Sequence, residues 1–253
     1  VLLFEGGDML VDIVRNSKNT VFFGGAGVST ESNIPDFRSE KGLYSVREVY
    51  GYAPEELLSY TFFVNNSELF FRYYKEKLVF MDAKPNAAHV TLAKLEQAGF
   101  LSAVVTQNVD GLHQMAGSKN VLELHGSNHR QYCVSCGAKY GLDYIFDRVN
   151  CVGFVPKCKC CGGVVRPDVV LYEESLDEEV VGAAKEAIAV VDCLIVGGTS
   201  LMVYPAAGLL QYFKGNKLVL INKSETSYDW QADMVIHESI GAVLLGVIEQ
   251  LGL

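Results

Sequence analysis

Positive charge is in short supply in this chain of 253 residues: 21 lysines and arginines face 30 aspartates and glutamates, a formal net charge of −9. That balance argues against a general nucleic-acid binder, which needs a basic face to neutralise phosphates. Long apolar runs are also missing. Stretches such as Val190 to Val196 and Lys217 to Ile221 fall far short of the ~18 consecutive apolar residues that a membrane span takes, so no bilayer-crossing helix and no membrane partner are expected. The opening residues, Val1 to Asp12, carry Glu5, Asp8 and Asp12 without a basic segment, and do not read as a signal peptide. Internal repeats, low-complexity tracts and long linkers are absent too. With 49% hydrophobic, 20% charged and 11% aromatic residues, the composition is that of a globular protein. The length suits a large domain with a small satellite. Seven cysteines is an odd number, and all but Cys193 fall between Cys133 and Cys161, which fits a local metal site in a reducing, cytoplasmic setting better than a secreted disulfide framework.

Periodicity alternates between helix and strand. Gly6 to Asn16 places Met9, Leu10, Ile13 and Val14 at helical spacing, and Thr20 to Phe23 is a short apolar run that ends in glycines. Pro85 to Ala98 reads as a helix with Ala88, Leu92 and Leu95 on one face, followed by a buried strand over Ala103 to Thr106. Strands are also expected over Val121 to Leu124, Asp192 to Val196 and Leu218 to Ile221, with helices over Asp177 to Val190 and Tyr204 to Phe213. Such alternation predicts an α/β fold, a mostly parallel sheet with helices on both faces. Two segments interrupt it. Ser39 to Met81 is rich in aromatics, from Tyr44 to Tyr74, and reads as short helices packed outside the sheet; His129 to Arg166 holds the cysteines. Together they are expected to form a small second domain, with a ligand cleft between the two.

Cys133-Val-Ser-Cys136 and Cys158-Lys-Cys160-Cys161 are two thiol pairs on glycine-bearing turns, Gly137 following one and Gly162-Gly163 the other. Four sulfurs from such pairs make a closed tetrahedral site of the kind Zn²⁺ prefers, which staples a fold and leaves no position for catalysis. Cys133, Cys136, Cys158 and Cys161, the last two keeping the two-residue gap, are the expected ligands, with neighbouring Cys160 the alternative in the second pair; Cys151 and Cys193 read as plain thiols. Gly24-Gly25-Ala26-Gly27-Val28-Ser29-Thr30, just after the first strand, lets backbone approach a pyrophosphate. It is an incomplete dinucleotide fingerprint, lacking the third glycine and the acidic residue ~20 positions on. Other strand ends add to it. Thr106 to His113, His125-Gly126, Gly197 to Ser200 and Asn222-Lys223 carry polar or glycine residues where open α/β sheets bind ligands.

The set Gly25-Ala26-Gly27-Val28-Ser29, Ile34-Pro35-Asp36-Phe37-Arg38, Thr106-Gln107-Asn108-Val109-Asp110-Gly111-Leu112-His113, His125-Gly126, the two cysteine pairs, Arg166-Pro167-x-Val169-Val170 and Gly198-Thr199-Ser200-Leu201-x-Val203-x-Pro205 resembles the sirtuin family of NAD-dependent protein deacylases. The motifs keep the family order over roughly residues 20 to 240. The resemblance implies a Rossmann-like NAD-binding domain over 1–38, 82–128 and 167–253, and a small domain made of a helical insert, 39–81, and a zinc-binding module, 129–166. It implies NAD as co-substrate and an acyl-lysine protein or peptide as partner. Ala26, Thr30, Phe37 and Arg38 would line the dinucleotide loop, Gln107 and Asn108 would contact the ribose, and Val109 and Asp110 would hold the nicotinamide carboxamide. His125 would be the general base, with Asn108 beside it in the chemistry. Gly198, Thr199, Ser200, Asn222 and Lys223 would hold the adenosine half, with the region near Ile240 closing over it. In the implied scheme the acyl oxygen displaces nicotinamide from the ribose C1′, and a base helps the 2′-hydroxyl attack the resulting imidate. The products would be nicotinamide, the 2′-O-acyl-ADP-ribose and free lysine. A neutral imidazole suits that proton transfer.

Three positions depart from the family pattern. Asn33 replaces a glycine, Gly24 stands where threonine is common, and Tyr172-Glu173-Glu174 replaces Phe-Gly-Glu. Asparagine tolerates the left-handed conformation, so the turn is expected to survive. Glu173 is expected to favour basic residues beside the acyl-lysine. Sirtuins that remove succinyl or malonyl groups carry a Tyr-x-x-Arg pair, whereas Tyr73 here precedes Tyr74-Lys75-Glu76, so acetyl or a longer apolar acyl group is expected. Mono-ADP-ribosyl transfer is the alternative activity, and a monomer is the expected state. His89 and His113 are expected to be packing or capping residues.

Overall fold

The computed structural model describes residues 5–35 and 47–253, and for residues 5–8 the backbone alone. Runs of Val, Ile, Leu and Phe without a polar face make its central strands. β1 (Thr20–Gly24) and β2 (Ala103–Thr106) are buried at every position, as strands covered on both faces must be. β3 (Val121–Glu123) lies beyond β2. Five further strands come next in the chain: β4 (Gly126–Cys133), β5 (Lys139–Gly141), β6 (Cys151–Val152), β7 (Val155–Pro156) and β8 (Val165–Val169). β9 (Cys193–Gly197), β10 (Lys217–Ile221) and β11 (Met234–Ile236) complete the large sheet. Its order is β11-β10-β9-β1-β2-β3, parallel throughout. This is the doubly wound arrangement, in which the chain works outward in both directions from a central pair.

Helices cover both faces. On one side Glu5–Asn16, Ala87–Gln97 and Ile240–Leu251 pack Leu10, Val14, Leu92, Leu95, Leu244 and Val247 against Phe22 and Val104. On the other, Glu178–Ala189 brings Ala184 and Ile188 to Val21, Leu194 and Val196. The expected helix over Tyr204 to Phe213 is instead a 3₁₀ segment, Ala206–Tyr212; Gly208 sits mid-segment, where glycine supports an α-helix poorly. β11 had no strand signal, being three residues long. A third core joins the two interrupting segments: Phe62, Phe70, Phe71, Tyr73 and Tyr74 pack with Cys133, Ile145, Cys158 and Val165. Its sheet runs β5-β4-β8. The single tryptophan, Trp230, lies outside all three cores at 81% exposure.

His89 and His113 are fully buried, their rings 4.7 Å apart. His89 belongs to a capping box: its Nδ1 accepts from the Asn86 N–H at 3.3 Å while the Asn86 side chain caps the helix. Burial pushes His89 down to about 4 and His113 to about 3. Both are therefore neutral in the folded protein at pH values where they would bind protons in the unfolded chain. Stability is then lost as pH falls below ~6.5, by up to ~1.4 kcal/mol per pH unit for each histidine. Urea midpoints measured from pH 7 to pH 4.5 should fall steeply, and His113→Phe should flatten that fall. Equal slopes for the two proteins would refute this assignment.

Candidate active site and metal centre

β1 and β9 are neighbours in register, Gly24 opposite Gly197, yet the chain leaves them in opposite directions. A crevice opens at such a switch point. Two loops meet there backbone to backbone, the Gly27 N–H donating to the Gly198 carbonyl at 2.7 Å. A Cβ on Gly27 would stand 2.7 Å from the Gly198 Cα, and Gly198 itself has φ +61°. The approach and the conformation both require glycine. Ala26–Ser32 then forms a 3₁₀ turn ended by Asn33 at φ 62°, the left-handed residue expected there.

Polar side chains from the strand ends knit across this crevice. The Ser29 hydroxyl donates to Asp110 Oδ2 at 2.6 Å and accepts from Asn108 Nδ2 at 3.0 Å. Asp110 Oδ1 accepts from the Leu112 N–H at 2.9 Å. Gln107 Nε2 donates to the Thr199 hydroxyl at 3.1 Å, and Asn222 brackets the Thr199 backbone with contacts of 2.9 and 3.0 Å. His125 follows β3. Its Nδ1 lies 2.8 Å from the Gln107 carbonyl, which can only accept, so Nδ1 carries the proton and Nε2 keeps the lone pair. Burial lowers the pKa of this imidazole, against the opposing pull of that carbonyl.

These groups line a cavity of about 670 Å³, within the ordinary range for a ligand site. Ala26, Gln107, Asn108, Val109, Asp110, His125, Gly198, Thr199 and Ser200 all face it. Thr30 does not: its hydroxyl is turned back to the Gly27 carbonyl at 2.9 Å. Asn222 reaches the cavity through Thr199, Lys223 lies exposed beyond β10, and Ile240 is buried in the core rather than on the cavity wall. Phe37 and Arg38 lie outside the described residues. Ser29 escaped the sequence reading as a site residue, although it stands inside the glycine motif and links two residues that were identified. Asn128 and Tyr74 had no such signal; the Tyr74 hydroxyl donates to Asn128 Oδ1 at 2.7 Å, joining the helical insert to β4 at the cavity's edge. The far wall is braced by buried Arg166, which pairs with Glu174 at 2.6 and 2.8 Å and donates to the Val169 carbonyl.

The cysteine pairs form two matching knuckles. Gly137 N–H bonds the Cys133 carbonyl and Gly162 N–H the Cys158 carbonyl, each at 2.9 Å, with φ 72° and 74° at the glycines. The sulfurs of Cys133, Cys136, Cys158 and Cys161 all lie within 4.8 Å of one another. Two of the pairs are 3.5 and 3.6 Å apart, close to the ~3.8 Å edge of a sulfur tetrahedron around zinc at ~2.3 Å. The donor set and its spacing fit that metal. The Tyr140 hydroxyl, 3.0 Å from Cys158, helps pull that thiol down to about 6. Cys160 is exposed and outside the four.

The Sir2 family model matches residues 25–205. The chain belongs to the Sir2 family. Among Sir2 relatives, an NAD-dependent protein deacetylase of Clostridium acetobutylicum is 60% identical over 98% of this chain and all of its own length. One of Clostridium tetani is 57% identical over 96% of this chain and 97% of its own. Solved Sir2 structures superpose closely: a complex with a p53 peptide and NAD⁺ has a TM-score of 0.87 at 38% identity, covering 96% of this chain and 98% of that one. A Sir2 bound to acetylated peptide has a TM-score of 0.85 at 36% identity, covering 97% and 98%.

Because Cys133 and Cys158 are buried in the small-domain core, removing the metal exposes that core. Chelation by a strong zinc ligand should release one zinc per chain and melt the small domain first, seen as loss of near-ultraviolet tyrosine dichroism. Cys136→Ser should carry less than one zinc as purified. A full complement of metal in that variant would exclude Cys136 as a ligand.

Proposed function

We propose that this chain is an NAD-dependent protein-lysine deacetylase. His125 carries the reading: a base whose proton is held at Nδ1 by a backbone carbonyl and whose Nε2 lone pair is free, in the cavity where the dinucleotide loop and the strand ends converge. Ala26, Gly198, Thr199 and Ser200 take the dinucleotide at the switch point, aided by Phe37, Arg38, Asn222 and Lys223, while Thr30, bonded to the Gly27 carbonyl, and Ile240, packed in the core, act only as supports. Gln107 and Asn108 address the ribose, and Asp110 with Val109 the carboxamide. The acyl oxygen of the lysine displaces nicotinamide at C1′. His125 then takes the proton of the ribose hydroxyl that adds to the imidate. Zinc, when bound, staples the small domain. The four reduced thiols suit a cytoplasmic setting, and a monomer holds every residue this chemistry uses. We assign residues 1–38, 82–128 and 167–253 to the large domain and the remainder to the small one.

Acetyl or a longer apolar acyl group fits the cavity better than succinyl or malonyl. Tyr73 is fully buried, and among the described lining residues there is no lysine or arginine to meet a second carboxylate. Glu173, exposed at the cavity and held at φ 76° with its carboxylate on the Thr61 N–H at 2.8 Å, supports a preference for basic residues next to the acyl-lysine.

Mass spectrometry of an acetyl-lysine peptide should show deacetylation that requires NAD, yields acetyl-ADP-ribose and is abolished in His125→Ala. ADP-ribose on protein with the acetyl group retained would establish the transferase alternative instead. Since the His125 pKa is lowered, its base form persists on acidification, so the acid limb of kcat/KM should fall below pH 6.5. In a peptide panel, Glu173→Gly should lose the preference for basic neighbours, and an unchanged ranking would remove Glu173 from specificity.

A further inference from the structure

We infer that Asn86 is a positioning residue for the dinucleotide loop, one that sets NAD affinity without touching the cofactor; the inference rests on the NAD-dependent reading above. Asn86 lies behind the loop, at the start of the helix Ala87–Gln97. Its Oδ1 accepts from the Ala88 and His89 N–H groups at 2.9 and 3.4 Å, the ordinary work of a helix cap. Its Nδ2 does something else. One amide proton goes to the Val28 carbonyl at 2.7 Å and the other to the Ser32 hydroxyl at 3.0 Å. A single side-chain amide thus ties a core helix to both ends of the turn Val28–Ser32.

The Val28 carbonyl matters because it shares a planar peptide unit with the Ser29 N–H. Fixing that oxygen fixes the plane from which Ser29 departs, and the Ser29 hydroxyl bridges Asn108 and Asp110. Along the same turn the contact of Gly27 with Gly198 sets the floor of the crevice. The loop is therefore held on the cavity side by polar groups and from behind by Asn86. Val28, Ser32 and His89 are buried, so no exposed group stands in for the amide if it is removed.

The two halves of the amide separate by substitution. Asn86→Asp keeps an acceptor for the helix N–H groups, at which aspartate caps as well as asparagine. It deletes both amide protons and sets a carboxylate oxygen against the Val28 carbonyl. A displacement of the loop by a fraction of an ångström should raise KM for NAD about tenfold, with KM for the acetylated peptide and kcat changed less than about twofold. Melting temperature should fall modestly, because the Val28 carbonyl and the Ser32 hydroxyl lose their donor, by less than in Asn86→Ala, while the increment that ADP-ribose adds to it should shrink. Asn86→Ala, which loses the cap as well, should show the same KM shift together with a lower melting temperature. Ser32→Ala, which removes one acceptor and leaves the cap alone, should give a smaller rise in KM for NAD.

An Asn86→Asp protein with wild-type KM for NAD and an undiminished ADP-ribose increment would overturn the inference and leave Asn86 as a helix cap. So would equal losses in NAD and peptide KM, which would point to general damage. Wild-type protein is assayed alongside: absence of NAD-dependent turnover there would fail the functional reading itself. The ADP-ribose increment, read without turnover, still tests Asn86.

Discussion

Because the chain leaves β1 and β9 in opposite directions, the two following loops must part and still touch, and the backbone contact of Gly27 with Gly198 satisfies both demands. The rest of the site is built outward from that contact. Thr199, one residue past Gly198, is in reach of Gln107 from β2 and of Asn222 from β10; Ser29, two residues past Gly27, is in reach of Asn108 and Asp110. A side chain at either glycine would spread the loops and pull these pairs beyond hydrogen-bonding distance, leaving half-buried polar groups without partners. Sequence position and strand register together place four elements at one crevice.

The fold was largely legible in the sequence where apolar periodicity was strong. Thr20–Gly24, Ala103–Thr106, Glu178–Ala189 and Lys217–Ile221 fall where the pattern set them. Short elements were not legible: Met234–Ile236 is specified by the open edge of β10, a tertiary fact that no local window contains. Within the site, glycine and strand-end motifs pointed to most of the residues that face the cavity. They could not distinguish a residue facing the crevice from one facing away. Thr30 and Ile240 lie in the right segments, yet one side chain turns back on its own loop and the other enters the core. Asn86 and Asn128 act through backbone and side-chain partners more than 45 residues distant in the chain, and such partners have no sequence signature.

The small domain shows a different economy. Its core of Phe62, Phe70, Phe71, Tyr73 and Tyr74 comes from one segment, and Cys133, Ile145, Cys158 and Val165 from another. Neither segment has the apolar surface to make a core alone, and the sulfur centre, whose four ligands all lie in the second, holds that segment in the shape that packs on the first. The Tyr74 to Asn128 bond carries the packing of the two segments to the cavity edge.

The placement of Trp230 has an optical consequence. The one indole is already bathed in water in the native state, so its emission maximum hardly moves when the chain unfolds. The tyrosines, by contrast, include several locked in apolar surroundings, Tyr73 and Tyr74 among them. Tryptophan emission therefore reports the 3₁₀ turn Asp229–Gln231, whereas the tyrosine signal comes mainly from the small-domain core, with a lesser share from Tyr212 and Tyr228, which lie partly buried against the large sheet.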